Sequence, residues 1–204
     1  MMSKLYFFRA VSGIALLIGG LALLVQPQIE QKVAEREEKK LVEAFKQLAT
    51  TNENSEKAEA TKLDSMVKDA KGILIIPKID LEMLIFEGAD ANSLNRGVGL
   101  LQTKKKFGIN NIGLAGHRGA SYGKQFNRLD ELVMNDEIYV KQGSTQFTFI
   151  VEDKYIVDRT RVDVLNELGS PYLTLVTCTP IGAKNPTDRL IVQAKLKSTH
   201  KEDI

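Results

Sequence analysis

From Lys71 onward the chain alternates short apolar stretches with breaks built on glycine or proline. Gly72-Ile73-Leu74-Ile75-Ile76, stopped by Pro77, predicts a strand. Leu81–Phe86, Ile112–Ala115, Glu137–Lys141, Gln146–Val151, Tyr155–Val157, Tyr172–Thr177 and Leu190–Ala194 predict the others. Turn residues fall between most of them: Gly88, Gly97, Gly108, Gly143, Gly169-Ser170-Pro171 and Gly182. Short helices are predicted at Asn92–Asn95 and Val162–Leu168, with a further helical turn at Phe126–Leu132. About eight short strands with few helices predict an all-β sandwich or closed barrel. The regular strand–helix alternation of a parallel sheet is not visible.

Two different patterns precede this region. Ala10–Val25 is an uncharged run of sixteen residues, about 24 Å long as a helix. Adding Leu5-Tyr6-Phe7-Phe8 brings it to bilayer length if Arg9 reaches back to the headgroups. Lys4 and Arg9 on its N-terminal side predict a cytoplasmic N-terminus and an extracellular remainder. A cleaved signal peptide fits less well, because no A-x-A site follows the run. A buried core helix would not be apolar on every face. After Pro27 the pattern becomes densely charged, with Leu41, Phe45 and Leu48 as one narrow apolar stripe through a solvated helix. Thr50–Lys62, without aromatic or large apolar residues, predicts a flexible linker. The expected organisation is a cytoplasmic tip and transmembrane signal anchor at 1–27, a charged helical stalk and polar linker at 28–70, a catalytic β-domain at 71–197, and a polar tail at 198–204.

Composition adds little to this picture. At 204 residues, 43% hydrophobic and 26% charged, the chain suits one globular domain with accessories. A net charge of +2 and the isolated Lys104-Lys105-Lys106 cluster argue against nucleic acid as a partner.

Cysteine usage changes the picture most. Cys178 is the only cysteine, in a chain expected to be exported, where cysteines usually pair. It is therefore a buried bystander, an intermolecular partner or a reactive thiol. It lies at the end of an apolar run, after Thr177 and before Thr179-Pro180, where a strand leaves its sheet and a thiol can face a cleft. A thiol nucleophile needs a base or a cation beside it. Of the two histidines, His200 lies in the polar tail, so His117, in the turn Gly116-His117-Arg118-Gly119, is the default acid/base partner. Arg189 opens the next apolar run. A fixed guanidinium there suits an oxyanion or a substrate carbonyl, whereas the bland alternative is a surface ion pair. One cysteine and one well-placed histidine are too few for a metal site.

The segment Thr174-Leu175-Val176-Thr177-Cys178, the downstream Arg189 and the upstream Ala115-Gly116-His117 together resemble the signature of the sortase family, over roughly Gly72–Leu196. These are membrane-anchored cysteine transpeptidases of Gram-positive bacteria. The resemblance implies an eight-stranded sortase-type β-barrel with Cys178 as nucleophile, His117 as acid/base and Arg189 as oxyanion or substrate-positioning group. It also implies that Thr177 contributes to the oxyanion site. The reaction implied is cleavage of an LPxTG-like sorting signal through a thioester, then transfer of the surface protein to a cell-wall amine such as a lipid II-type peptidoglycan precursor. No cofactor and no metal are implied. No proline follows an aspartate, so the lid motif of pilin-polymerising members is missing and an anchoring type, in the manner of class D, is expected. Two other readings use the same residues: a thiol hydrolase with water as acceptor, and a non-catalytic surface β-domain with Cys178 buried.

Overall fold

The structure, a computed structural model, describes residues 36, 39–46, 67–119 and 125–201. The chain divides into two units, 1–37 and 38–204. Of the first only Arg36 is described, and it is helical and exposed. The expected membrane segment therefore lies outside the described residues, as do the linker at 50–62 and Leu48 of the expected stripe. Among the described residues no helix is long and apolar enough to cross a membrane.

Eight strands close into a barrel: β1 (Gly72–Ile76), β2 (Leu81–Glu87), β3 (Val98–Leu100), β4 (Asn111–Ala115), β5 (Glu137–Gln142), β6 (Thr145–Asp158), β7 (Tyr172–Thr179) and β8 (Asp188–Lys201). Their order around the barrel is β1-β2-β3-β4-β7-β8-β6-β5. Two neighbouring pairs, β2/β3 and β4/β7, run parallel, and the others are antiparallel. A closed sheet leaves no long edge to cap, which suits a chain with few helices. The interior is filled by one face of each strand, including Leu74, Ile85, Val98, Leu114, Val140, Phe149, Leu175 and Val192.

The expected number of strands matches, but the membership differs. The stretches 146–151 and 155–157, read as two strands, are one, β6, bent at an irregularity between Val151 and Asp153. The charged residues Glu152-Asp153-Lys154, between the two expected strands, lie at that irregularity, and Glu152 and Asp153 face solvent. The strand missed is β3. Gly97, read as a turn residue, and Gly99 serve close approach: a Cβ on Gly99 would lie 2.3 Å from the Gly88 carbonyl oxygen. At the C-terminal end, β8 runs to Lys201, paired with Thr145 on β6. Ser198–Lys201, expected within a polar tail, are thus strand.

β1 and β2 bury apolar residues on both faces, which explains why their segments are apolar apart from Glu82 and the terminal Glu87. Their outer face, through Ile73, Leu84 and Phe86, packs against Val42 and Ala44 of the helix at 39–46 and against Val67. Leu41, Phe45 and Ile75 flank this second cluster, and Lys46 pairs with Glu82 at 2.5 Å. The apolar face of the helix is thus wider than the expected stripe, and residues assigned to a stalk form part of the globular unit. In the ring of strands, β1 and β2 lie opposite β7 and β8. The helix therefore sits away from the region described next.

Candidate active site

Strand alternation separates two jobs along β7. Leu173, Leu175, Thr177 and Thr179 are buried, and the first two belong to the core. Val176 and Cys178 project from the other face, and Cys178 is half-buried and free. On β8 the register places Arg189 directly opposite Cys178. Cross-strand neighbours of this kind have Cβ atoms about 4.5–5.5 Å apart. The Arg189 Nη1 donates to the carbonyl oxygens of Pro186 and Asp188, both at 2.9 Å. A guanidinium has N–H groups beyond those two bonds. Nearby, the Thr160 hydroxyl and N–H hold the Asp158 carboxyl below the usual carboxylate range, with Arg159 and Arg189 adding to the effect.

His117 reaches the same end of the barrel from the other side. β4 runs parallel to β7, with Ala115 level with Val176, so two residues further on each chain are His117 and Cys178. The turn carrying His117 is pinned at several points. The Gly116 N–H donates to the Val176 carbonyl at 3.2 Å, and the Phe126 N–H donates to the His117 carbonyl at 3.1 Å. The Gly119 N–H donates to Asn127 Oδ1 at 2.8 Å. The imidazole itself is exposed.

Thr177 is 2% exposed, and its hydroxyl donates to the Gly116 carbonyl at 2.7 Å. This short bond ties the strand of the thiol to the turn of the imidazole. Arg118 provides a second tie. Its side chain is 7% exposed, Nη1 donates to Thr179 Oγ1 at 3.1 Å, and Nη2 pairs with Asp130 at 2.8 Å. The role of Arg118 was not visible in sequence: a charge after the histidine reads as solvated until its burial is known. The structure thus brings Cys178, Arg189 and His117 to one end of β4-β7-β8, with Thr177 on the reverse face behind them. Among the described residues, no group of three or more His, Cys, Asp or Glu side chains could hold a metal ion.

The face that carries Cys178 continues along β4, β7 and β8 as a floor, half-buried at Ala115, Val176 and Cys178 and covered at Thr174 and Ile191. Successive rows are Gly113, Thr174 and Gln193, then Ala115, Val176 and Ile191, then Cys178 and Arg189. Leu165, from the 3-10 segment Val162–Leu165, lies over the first row: a Cβ on Gly113 would fall 2.6 Å from its Cδ2. A small residue at 113 is thus needed for the segment to sit on the sheet. Four residues separate Thr174 from Cys178, about 13 Å of extended strand.

A thiol and a guanidinium on adjacent strands of a closed barrel, with an imidazole in the turn after a third, are the parts of a cysteine acyl-transfer site. The sortase domain model matches residues 74–197, and the chain belongs to the sortase family, whose members are cysteine transpeptidases. It is 23% identical to sortase A of Bacillus anthracis over 209 residues, covering 97% of this chain and 98% of that protein. With sortase D of Bacillus subtilis (strain 168) it shares 33% identity over 129 residues, 62% of this chain and 63% of that protein. Among solved structures, the Clostridium perfringens sortase D5 transpeptidase superposes with a TM-score of 0.60 at 28% identity, covering 79% of this chain and 98% of that one. Sortase A of Listeria monocytogenes, at 24% identity and a TM-score of 0.63, shares the fold over 66% of this chain and 92% of its own. Membership of an enzyme family sets aside the non-catalytic β-domain.

Proposed function

We propose that the enzyme cleaves an LPxTG-like sorting signal through a thioester on Cys178 and transfers the surface protein to a cell-wall amine. The observation that carries this reading is the Cys178–Arg189 register pair; it is supported by His117, which like Cys178 follows two residues after the last β4–β7 pair, Ala115–Val176. The Cys178 thiol gives its proton to His117 as it attacks the threonine carbonyl, and the negative charge developing on the carbonyl oxygen is met by the Arg189 guanidinium. Collapse of the tetrahedral intermediate breaks the amide, and His117 protonates the departing amine. An incoming amine, activated by His117, then displaces the thiol, so one amide replaces another with little net free-energy change. Thr177, with its hydroxyl committed to Gly116, serves the oxyanion site by holding the two strands in place.

The half-buried Ala115 and Val176, backed by buried Ile191, offer apolar surface to the leucine and proline of such a signal, with Val162–Leu168 as its wall. The 16-residue uncharged run Ala10–Val25 supports a single-pass anchor with the catalytic domain outside the cell, in a family generally associated with the cell surface. A lipid II-type precursor is the amine this placement favours. The missing aspartate–proline lid motif supports an anchoring type in the manner of class D. The test is a peptide-library assay with a glycine or diaminopimelate amine as acceptor, read by mass spectrometry. An amine adduct is expected. Free acid alone, with acceptor present, would instead establish a thiol hydrolase using water.

A further inference from the structure

The segment that walls the floor buries little apolar surface of its own. Val162 is 72% exposed and Leu168 41%; Val164 is the buried member of the 3-10 segment, with Leu165 half-buried over Gly113. What holds it is polar. Asn111, the first residue of β4, is fully buried, and its Nδ2 donates to the carbonyls of Val164 at 3.1 Å and Asn166 at 2.9 Å. Its Oδ1 accepts from the Thr174 hydroxyl at 2.7 Å. Its backbone N–H donates to Glu167 Oε2 at 3.0 Å, and its carbonyl accepts from Lys105 Nζ at 3.2 Å. The side chain thus makes three hydrogen bonds and joins the β4–β7 sheet to the wall in one step. Lys105 seals the outer side, reaching the Leu165 carbonyl and Glu167, both at 2.8 Å. Gln102 and Gln193 add single bonds to the carbonyls of Leu165 and Val164.

We infer that Asn111 is a positioning residue for substrate. It holds 162–168 as a standing wall, so an extended sorting peptide enters a groove already formed and its scissile carbonyl is delivered to Cys178 in register. This rests on the functional reading above. A wall kept mostly by buried and part-buried hydrogen bonds depends on their satisfaction, because losing one partner leaves the others unpaired. A preformed groove also spares the peptide the cost of ordering the loop. Asn111 is far along the strand from the nucleophile, so its loss acts on binding and leaves the thiol's own reactivity in place.

The experiment uses the full chain and an internally quenched LPxTG-type peptide, with Asn111→Ala, Thr174→Val and Thr174→Ser. Asn111→Ala is expected to raise KM about tenfold or more, as loss of the two side-chain hydrogen bonds to the wall implies, with kcat changed much less. Amide hydrogen exchange across 162–168, without peptide, should quicken by a similar factor, while alkylation of Cys178 by iodoacetamide keeps its parent rate. Thr174→Val should move KM and exchange in the same direction, and Thr174→Ser should restore both. If Asn111→Ala does not fold, Lys105→Met reads the same two quantities from the outer side of the wall. Faster exchange at an unchanged KM would overturn the substrate role, and unchanged exchange would overturn Asn111 as the pin. A parent enzyme that never turns over the peptide would overturn the functional reading and the substrate half of this one, while the exchange data still decide what pins the wall.

Discussion

Cys178 and Arg189 face each other as direct partners across the antiparallel β7–β8 ladder. Their side chains leave the same face of the sheet, so the spacing of nucleophile and guanidinium is set by the ladder itself. A site built on strands is held more tightly than one built on loops. The Arg189 bonds to Pro186 and Asp188 fix the guanidinium further.

Arg189→Lys tests that geometry. An ammonium keeps the charge but not the planar fork, so it cannot hold the backbone carbonyls and also meet an oxyanion in the same way. The expected outcome is a fall in kcat/KM of about 10²-fold or more, with the melting temperature close to the parent's. Steady-state kinetics with the quenched peptide, alongside thermal unfolding, measures both.

Thr177→Val should damage activity without touching the reacting atoms. It leaves the Gly116 carbonyl, now bonded at 2.7 Å, without its buried donor. The stability cost is about 1–3 kcal/mol, and the turn carrying His117 is released from β7. The distinguishing readout is the pH profile of kcat/KM: a loosened acid/base group changes its shape, whereas simple destabilisation lowers it uniformly. Thr177→Ser should recover most of the loss.

A chain starting at Lys71 should be less stable than one that includes the helix at 39–46. Its absence uncovers the outer faces of Ile73, Leu84 and Phe86, which now pack on Val42 and Ala44. Within the intact chain, Val42→Ala should cost about 1–3 kcal/mol. Because this cluster lies across the barrel from Cys178, kcat should stay within about twofold of the parent value at temperatures where the variant is folded. Denaturant titration and peptide kinetics on the same samples check the separation.

Acid should weaken the wall of the groove. Lys105, and then the Asn111 N–H, hold the Glu167 carboxyl below the ordinary glutamate range in the folded protein. Its stabilising effect is therefore complete above the unfolded-state pKa and is lost as pH falls through the folded-state value. Asp158 and Asp163 are lowered too, chiefly by Thr160 and Arg161, and act with the same sign. Melting temperature should fall as pH drops below the carboxylate range, and Glu167→Gln should make that slope shallower. An unchanged slope would count against the Lys105–Glu167 contact.

How far the sequence could be read depended on whether a residue's meaning was local. The segments of β1, β2, β4 and β7 were legible because apolar residues dominate each of them, and Cys178, His117 and Arg189 stood out by rarity and by their places at strand ends. β3 was not legible, because Gly97 and Gly99 signal turns unless the neighbouring carbonyls of Leu84 and Gly88 are known to crowd them. The bend within β6 had the same effect, with exposed charges at an irregularity imitating a loop. Asn111 and Arg118 were hidden for another reason. Each is polar, each is buried, and each has partners more than fifty residues away in sequence.

The most direct measurement is intact-mass analysis of the enzyme quenched in acid during turnover of an LPxTG-type peptide without amine acceptor. The account predicts a mass increase equal to the N-terminal peptide fragment through threonine less one water, mapped to Cys178, discharged by adding an amine and absent in a folded Cys178→Ala variant. Full peptide cleavage by Cys178→Ala, or an acyl adduct on any other residue, would contradict it.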